Sequence, residues 1–331
     1  MVRGGPVKRI VVEGFGNPDV LRYVESIDPT PGDGEVVVRV HAAGVNPADV
    51  YIRTGQYAFP LPSLPYTPGF DCAGEILAIG PGVDRWRIGD RVFVVDVDGS
   101  TSGTYAQAAR CADHTVRPLA GWLSFAAGAA LGIPAVTAYR ALHQRGDARV
   151  GETVLVHGAS GGVGSLVVQM AVAGGLTVIG TAGTTAGREA VSAHGAHHVL
   201  DHTAPGYLDA VPRLTDGAGV SLIVEMMADI NLEQDFSVLA RHGRIVVVGS
   251  RGAIDFTPRQ TMVAEADVRG TAVWNMSRDE VVQALQHIEV LVDRRLLAPR
   301  VGAVFALHEA AEAHRSILGR HPPGRIVLDC R

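Results

Sequence analysis

The stretch that most constrains this chain runs from Val154 to Gly164 and reads Val-Leu-Val-His-Gly-Ala-Ser-Gly-Gly-Val-Gly. An apolar β run ends in a turn almost without side chains, and an apolar segment rich in Ala and Val continues from it to Ala173. Written from Ala159 the turn is A-x-G-x-x-G, a variant of the dinucleotide-binding fingerprint. Small residues are needed here because the strand must bend sharply into a helix, the backbone must approach a pyrophosphate, and the helix must pack closely on the sheet. The helix N-terminus then presents unpaired N–H groups and the positive end of its dipole to the phosphates. A second apolar run, Leu176 to Gly180, follows at the distance a strand–helix–strand unit requires. The pattern therefore predicts a parallel α/β sheet that carries a dinucleotide.

The rest of the chain divides around this unit. Strands are expected at Val220–Val224 and Arg244–Val248, nearly continuous apolar runs of the kind a parallel sheet covered on both faces demands. The first third instead shows short β runs closed by turn residues: Arg9–Val12, Glu35–Val40, Glu75–Ile79 and Asp90–Val95. Pro60, Pro62, Pro65 and Pro68 mark an extended loop. Helical patterns cover Ala126–Leu142 and Arg278–Val292, and a last strand covers Arg325–Leu328. At roughly 150 residues per domain, a chain of 331 residues holds about two. The expected fold class is α/β, a Rossmann-type doubly wound parallel sheet over 129–272 plus a mostly β catalytic domain formed by 1–128 and 273–331.

Composition excludes several alternatives. With 47% hydrophobic and 19% charged residues the chain has the means to fill a core, so disorder is excluded. A net charge of −5 advertises no polyanion partner. Lys8 is the sole lysine, which removes both a P-loop and a Schiff base in the body of the protein. Cys72, Cys111 and Cys330 lie too far apart in sequence for a disulfide framework or a cysteine-built zinc site, and a reducing, cytoplasmic setting is expected. Met1 to Lys8 contains no apolar signal-peptide core. The uncharged stretches 118–139 and 153–187 are long enough to span a bilayer, but glycines and Pro134 interrupt them and buried structure explains them better.

Cofactor choice turns on the end of the second strand of the dinucleotide unit. An NAD site usually carries an acidic residue there to bind the ribose 2′-hydroxyl. This chain reads Gly180-Thr181-Ala182-Gly183-Thr184-Thr185, then Arg188, with no carboxylate, which favours NADPH. A catalytic zinc would need a cysteine and a histidine beside the nicotinamide. Asn46 stands where a metal-binding version would place the cysteine, and Phe70 stands at the histidine. Neither is a good zinc ligand. His194, His197 and His198 read as surface residues, and no metal is expected.

These residues together resemble a known group, the zinc-free medium-chain dehydrogenase/reductases, in particular the NADPH:quinone oxidoreductases that include zeta-crystallin. The likeness covers nearly the whole chain. It shows at Ala43–Pro47 with Tyr51–Tyr57, at Leu64–Gly69, at Gly132–Tyr139, at Val156–Gly164, at Gly180–Thr184 and at Val248–Gly252. One departure is Val172, where the family's fingerprint ends on a basic or serine residue. The resemblance implies a GroES-like fold for the smaller domain, NADPH as cofactor, and a homodimer or homotetramer.

It also implies roles for particular residues. Tyr51 is similar to the tyrosine that meets the nicotinamide, and Tyr51, Asn46 and Tyr57 are the candidates to hydrogen-bond a developing oxyanion or relay a proton. Ser160, Gly161, Gly162 and Val163 resemble the pyrophosphate turn. Gly183, Arg188 and His202 stand where similar proteins approach the 2′-phosphorylated ribose. Asn231 with Val248, Gly249, Ser250 and Arg251 resembles the loops beside the adenosine and nicotinamide halves, and Thr271, Ala272 and Val273 the segment at the carboxamide. Arg325 stands at a C-terminal basic position that helps neutralise phosphate; the family's usual lysine near the 2′-phosphate is missing. The implied reaction is hydride, or single-electron, transfer to a quinone, whose own electronic structure makes a Lewis acid unnecessary. Reduction of the double bond of an enone, alkenal or enoyl thioester is the alternative on the same scaffold. Some relatives bind RNA, but this chain shows no basic stripe with interleaved aromatics, which argues against that role.

Overall fold

The computed structural model describes residues 6–319 and 322–331; most of the segment read as lacking a signal-peptide core, Met1 to Gly5, lies outside them. Two units emerge, one formed by the N-terminal part to Ile133 together with Pro299–Arg331, the other by Pro134–Ala298.

The first unit is built on β-structure. Its strands before the crossover are β1 (Val7–Val12), β2 (Leu21–Ser26), β3 (Glu35–Gly44), β4 (Asp71–Ile79), β5 (Arg91–Val95), β6 (Ala108–Ala112) and β7 (Val116–Pro118). One helix, α1 (Pro47–Thr54), interrupts them. β1 and β2 form a hairpin-like pair with Val7 opposite Ser26. β3 is the long central strand and pairs antiparallel with β4 and with β6. Its inward residues Val36, Val38 and Val40 are fully buried with Ile76, Val92, Val94 and Tyr105. Val37, on the opposite face, is buried as well, so this part of β3 is covered on both faces. A long helical segment, α2 (Phe125–Tyr139), then leads out of the unit and bends at Gly132. That glycine is required by contact, since a Cβ there would lie 2.2 Å from Cβ of Asp71.

The second unit is the parallel sheet. Its strands are β8 (Thr153–Val156), β9 (Thr177–Thr181), β10 (His198–Leu200), β11 (Val220–Glu225), β12 (Leu239–Val247) and β13 (Asp267–Gly270). Between them lie α3 (Gly162–Ala173), α4 (Thr185–Ala193), α5 (Val211–Leu214), α6 (Ala228–Asp235) and α7 (Arg259–Ala264). The spatial order is β10-β9-β8-β11-β12-β13 and every pairing is parallel. The order reverses between β8 and β11, which is the switch point where such sheets open a crevice at their carboxyl ends. Leu155, Ile179, Ile223 and Ile245 fill the core, one from each of four adjacent strands.

The helix α8 (Arg278–Asp293) follows and is opened by a capping box, Ser277 accepting from the N–H of Glu280 and Glu280 from that of Ser277. The chain then returns to the first unit with β14 (Val301–Ala306), α9 (Ala310–Ile317) and β15 (Arg325–Asp329). β15 pairs parallel with β14 and antiparallel with β3.

The second domain boundary expected from sequence needs correction. Residues 273–298, expected in the catalytic domain, belong to the second unit. Gln169 on α3 bonds both the N–H and the C=O of Ala298, and Glu280 on α8 pairs with Arg140, so this segment is stitched to the parallel-sheet unit. The stretch 153–187 is the strand–helix–strand unit expected of it. Phe125–Arg145 is long and apolar enough to cross a membrane by length and composition, but 72% of its most apolar window is buried inside the protein.

Candidate active site

The carboxyl ends of six parallel strands collect most of the dinucleotide candidates. After β8, His157 and Gly158 begin the turn, Gly158 with φ +57°, and Gly161 caps α3. Gly164 must be glycine, because a Cβ there would stand 2.3 Å from the carbonyl oxygen of Gly158. The N–H groups of Gly162, Val163 and Gly164 open a helix of 12 residues and have no intrahelical acceptor. Ser160 and Gly161 lie beside them. This is an anion cradle made of backbone, and its shape fits a pyrophosphate.

The neighbouring strand ends complete that edge. Gly183 follows β9 and is pressed against His202, which follows β10; a Cβ on Gly183 would come within 2.6 Å of His202 Nε2. His202 Nδ1 is 3.3 Å from Thr181 Oγ1, and burial holds its imidazole below the ordinary value. Arg188 on α4 bonds Asp201 at 2.7 Å. Hydrogen bonds from Thr203, together with Arg188, hold the Asp201 carboxyl below the usual range. A carboxylate is therefore present near the ribose-side residues after all, supplied by the end of β10 rather than β9. It escaped the sequence reading because β10 is an edge strand of three residues and intermediate burial, too short to show a periodic pattern.

After β11 and β12 two loops are laced together. Val248 donates to the carbonyl of Glu225 at 2.8 Å, and Ala228 donates to the carbonyl of Gly249 at 2.9 Å. Asp229 accepts from the N–H of Arg251 at 2.8 Å and from the Ser250 hydroxyl at 3.4 Å. Asn231 on α6 donates its amide to Glu225 at 3.1 Å. Past β13, Thr271 donates its N–H to Val247 at 3.0 Å while its buried hydroxyl has no hydrogen-bond partner among the described residues; Ala272 and the buried Val273 follow.

Sequence reasoning missed the roles of four buried acids, Glu225 and Asp235 in the second unit and Asp49 and Asp71 in the first. In the second unit His157 Nε2 lies 2.8 Å from Asp235 Oδ1 and 3.4 Å from Glu225 Oε2, all three groups buried. His157 is thus a buried histidine held between two acids. The signal available was a charged residue at the end of an otherwise apolar strand, Glu225 after Val220–Val224.

In the first unit Asn46 caps α1, which carries Tyr51. The Asn46 amide donates to Asp71 at 3.1 Å, and its oxygen accepts from Arg325 at 2.9 Å. Arg325 also donates to both oxygens of Asp71, at 3.0 and 3.2 Å, and the Ile133 N–H donates to Asp71 at 2.9 Å. This bears on two expectations. Arg325 is expected to neutralise phosphate, but its guanidinium is buried and already committed to Asp71. Asn46 is expected to serve as an oxyanion donor; its amide nitrogen donates to Asp71 and its oxygen accepts from Arg325 in the same buried network, which ties the start of α1 to that pair. Burial nevertheless wins over Arg325 and pushes the Asp71 carboxyl above its ordinary value.

A second chain of bonds holds the same helix. Asp49 accepts from the Asn46 N–H at 2.8 Å and from the Tyr105 hydroxyl at 3.1 Å; that hydroxyl is also 3.1 Å from His314 Nε2, and Arg53 donates to His314 Nδ1 at 3.2 Å. Burial, reinforced by the charge of Asp71, pushes Asp49 up to about 7. Tyr51 is half-buried on α1, and Tyr57 follows the helix with its ring 5.5 Å from that of Phe59. Phe70 directly precedes Asp71, so an aromatic ring occupies the place of a metal-binding histidine.

Comparison with known proteins places these features in context. The family described as the alcohol dehydrogenase GroES-like domain matches residues 32–146, and that described as zinc-binding dehydrogenase matches 162–289. The quinone oxidoreductase of Homo sapiens is 43% identical over 331 residues, covering 99% of each chain. Among solved structures, an NAD-dependent alcohol dehydrogenase superposes with a TM-score of 0.87 at 29% identity, covering 97% of this chain and 99% of its own. A mycobacterial protein solved in complex with NADPH reaches 0.86 at 27% identity, covering 97% of this chain and 99% of its own.

Proposed function

The chain belongs to the medium-chain dehydrogenase/reductase family and is an oxidoreductase, and from that premise we propose that it uses a nicotinamide cofactor and reduces quinones with NADPH and without a zinc ion. The observation that carries the reading is the donor set of the first unit. At the two positions that would ligate zinc stand an amide tied into the Asp71–Arg325 network and a phenyl ring. A zinc ion in this place would polarise a simple carbonyl, whereas a quinone is electron-poor by itself and asks for less polarisation. The description zinc-binding dehydrogenase attaches to residues 162–289, which include neither position.

When bound, the reduced nicotinamide supplies a hydride. The chain's own residues bind and orient. The turn from Ser160 to Val163 offers the N–H groups of Ser160, Gly162 and Val163 to the pyrophosphate, that of Gly161 being taken by the Gly158 carbonyl, and Arg188 with His202 and Gly183 forms the border that favours a 2′-phosphate once the guanidinium exchanges Asp201 for it. Asn231, the 248–251 loop and Thr271 to Val273 bound the remaining length of the dinucleotide. Tyr51 presents its hydroxyl to the oxygen on which negative charge develops, the electrostatic contribution that hydride transfer to a quinone most needs. Tyr57 is the second hydroxyl near that helix. A hydride and one proton together convert quinone to hydroquinone, and a tyrosine hydroxyl is able to pass that proton on. The three cysteines are buried free thiols, which suits a reducing, cytoplasmic setting. We take the enzyme to be a homodimer or homotetramer, as its relatives' resemblance implies.

The test is a substrate panel on chelator-dialysed protein: 1,4-benzoquinone, 9,10-phenanthrenequinone and 2-alkenals, each with NADPH and NADH. Quinone turnover that prefers NADPH and survives chelation is expected. Turnover of alkenals alone would assign double-bond reduction instead, and activity lost with EDTA and restored by zinc would overturn the metal-free chemistry.

A further inference from the structure

The group His157, Glu225 and Asp235 sits beneath the dinucleotide edge of the parallel sheet and is not used by the chemistry above. Its members come from three different elements: His157 from the residue between β8 and the glycine turn, Glu225 from the end of β11, Asp235 from the end of α6. Each is at most 2% exposed. The imidazole bridges the two acids, 2.8 Å from Asp235 and 3.4 Å from Glu225. The other oxygen of Glu225 accepts from the Met227 N–H and from the Asn231 amide. Met226 faces Gly158, with its Cβ 3.6 Å from where a Gly158 Cβ would be.

Two features make this more than a packing contact. Among the described residues Oδ2 of Asp235 has no hydrogen-bond partner and Oε2 of Glu225 has only the 3.4 Å charge contact with His157 Nε2, which is costly for buried carboxylates unless a proton covers one of them. The charge count agrees. Two carboxylates and one imidazolium leave a net negative charge, and among the described residues no lysine or arginine pairs with either acid to cancel it. The other titratable groups that face the cluster are Tyr207, whose ring stands edge-on to His157 at 6.3 Å, and His202. Neither adds a cation at neutral pH where burial lowers His202. A second proton on the carboxylates neutralises the group.

We propose that His157, Glu225 and Asp235 form a buried proton-sharing clamp that fixes the glycine turn against the 226–231 loop, and that its proton occupancy sets the affinity for the dinucleotide phosphates. This rests on the reading that the glycine turn holds the dinucleotide. The clamp joins the two loops that flank the switch point, so its charge is felt where anions bind. Burial above all pushes Glu225 up to about 7, which sets the proton's departure in the working range. Burial opposes the imidazolium, yet the hydrogen bond and charge of Asp235 and the charge of Glu225 outweigh it, and His157 titrates above its ordinary value. With the proton on, the clamp is neutral. Above about pH 7 it carries a negative charge beside the phosphate turn and binding weakens. One linked proton changes the dissociation constant by at most about tenfold per pH unit. His157, Glu225 and Asp235 are positioning residues in this scheme and touch no substrate.

The experiment is a fluorescence titration of NADPH and, separately, NADH into wild type, E225Q and H157Q between about pH 6 and pH 8.5. The side-chain amide of E225Q keeps an acceptor oxygen for the Met227 N–H and the Asn231 amide but cannot titrate. The wild-type Kd should rise about fivefold to tenfold between pH 6 and pH 8 for both dinucleotides, a rise of the one-proton size, and the rise should be absent in E225Q. H157Q should move the midpoint to higher pH, because the imidazolium no longer holds Glu225 down. A rise that persists unchanged in E225Q overturns the proposal. So does a rise seen with NADPH and not NADH, which would place the titration at the 2′-phosphate. One equivalent of a divalent cation on purified wild type, lost in D235N, would replace the shared proton by a metal and likewise overturn it. Failure of wild type to bind either dinucleotide at any pH would instead remove the reading of the site, and the proposal with it.

Discussion

Replacing Arg325 by methionine separates two accounts of that residue. If it neutralises cofactor phosphate, R325M weakens NADPH and leaves the fold alone. The structure argues the opposite. Arg325 is 5% exposed and Asp71 is 0% exposed, and the guanidinium makes two contacts to that carboxylate and one to Asn46. Gly44 and Gly132 leave space for the pair, since a Cβ on either would fall within 2.5 Å of an Asp71 atom. Removing one partner of a buried ion pair strands the other, at a cost of about 3–5 kcal/mol. For a unit of roughly 150–250 residues each kcal/mol moves Tm by about 2–4 °C, so a loss of about 10 °C is expected. The pH dependence has a fixed sign. Asp71 already titrates above its ordinary value, and without Arg325 it rises further. An acid with a raised folded pKa stabilises the fold at low pH, and that stability is lost as pH climbs through the folded value. The Tm deficit of R325M should therefore be smaller at about pH 5 than at about pH 8, and adding D71N should recover much of it. Differential scanning fluorimetry across this range is the assay. A Tm within about 2 °C of wild type, with NADPH weakened and NADH untouched, would refute the argument, since the expected shift is several times larger.

Three further outcomes follow from the same structure. Y51F should lower turnover with 1,4-benzoquinone by about tenfold to hundredfold while the Kd for NADPH stays within about twofold, because only the transition state uses the hydroxyl; unchanged turnover would remove that role. R188A should weaken NADPH by about tenfold and leave NADH unchanged, and D201N, which frees Arg188 from its 2.7 Å partner, should tighten NADPH; equal effects on both dinucleotides would show that Arg188 does not read the 2′-phosphate. Asp49, pushed up to about 7 from an unfolded value near 3.9, favours the fold below about pH 4 and ceases to do so as pH rises through 7, a change of up to about 4 kcal/mol. D49N should accordingly be more stable than wild type in urea at pH 8 and no more stable at pH 4; a constant difference at both would mean Asp49 does not titrate in that range.

Where the chain was legible, the reason is local. The strand–glycine turn–helix over 154–173 needs only small residues at fixed offsets and one apolar period, and the structure has β8 and α3 there. The inner strands β3, β8, β11 and β12 announced themselves because buried strands must be apolar on one or both faces. Short edge strands did not. β10 and β13 are three and four residues with mixed polarity, so nothing in their composition marks them, and with β10 went the placement of Asp201 beside Arg188. The boundary near residue 273 failed for a different reason. Whether α8 joins one unit or the other depends on Gln169 bonding Ala298 across 129 positions of sequence, and no local pattern reports a contact of that range. Roles assigned by resemblance were weakest for the charged groups. A sequence shows that Arg325, Asp71, Glu225 and Asp235 exist; whether a charge faces a ligand or another buried charge is decided only by folding.

The central claim is that a reduced dinucleotide rests on the glycine turn and gives its hydride to a quinone with no metal ion taking part. One cuvette tests it: protein dialysed against chelator and shown to hold less than a stoichiometric trace of zinc is titrated with NADPH while nicotinamide fluorescence is followed, and 1,4-benzoquinone is then added. The account predicts saturable perturbation of the fluorescence and then its stoichiometric loss as NADPH is oxidised. No perturbation at any concentration, or bound NADPH that stays reduced until zinc is restored, would contradict it.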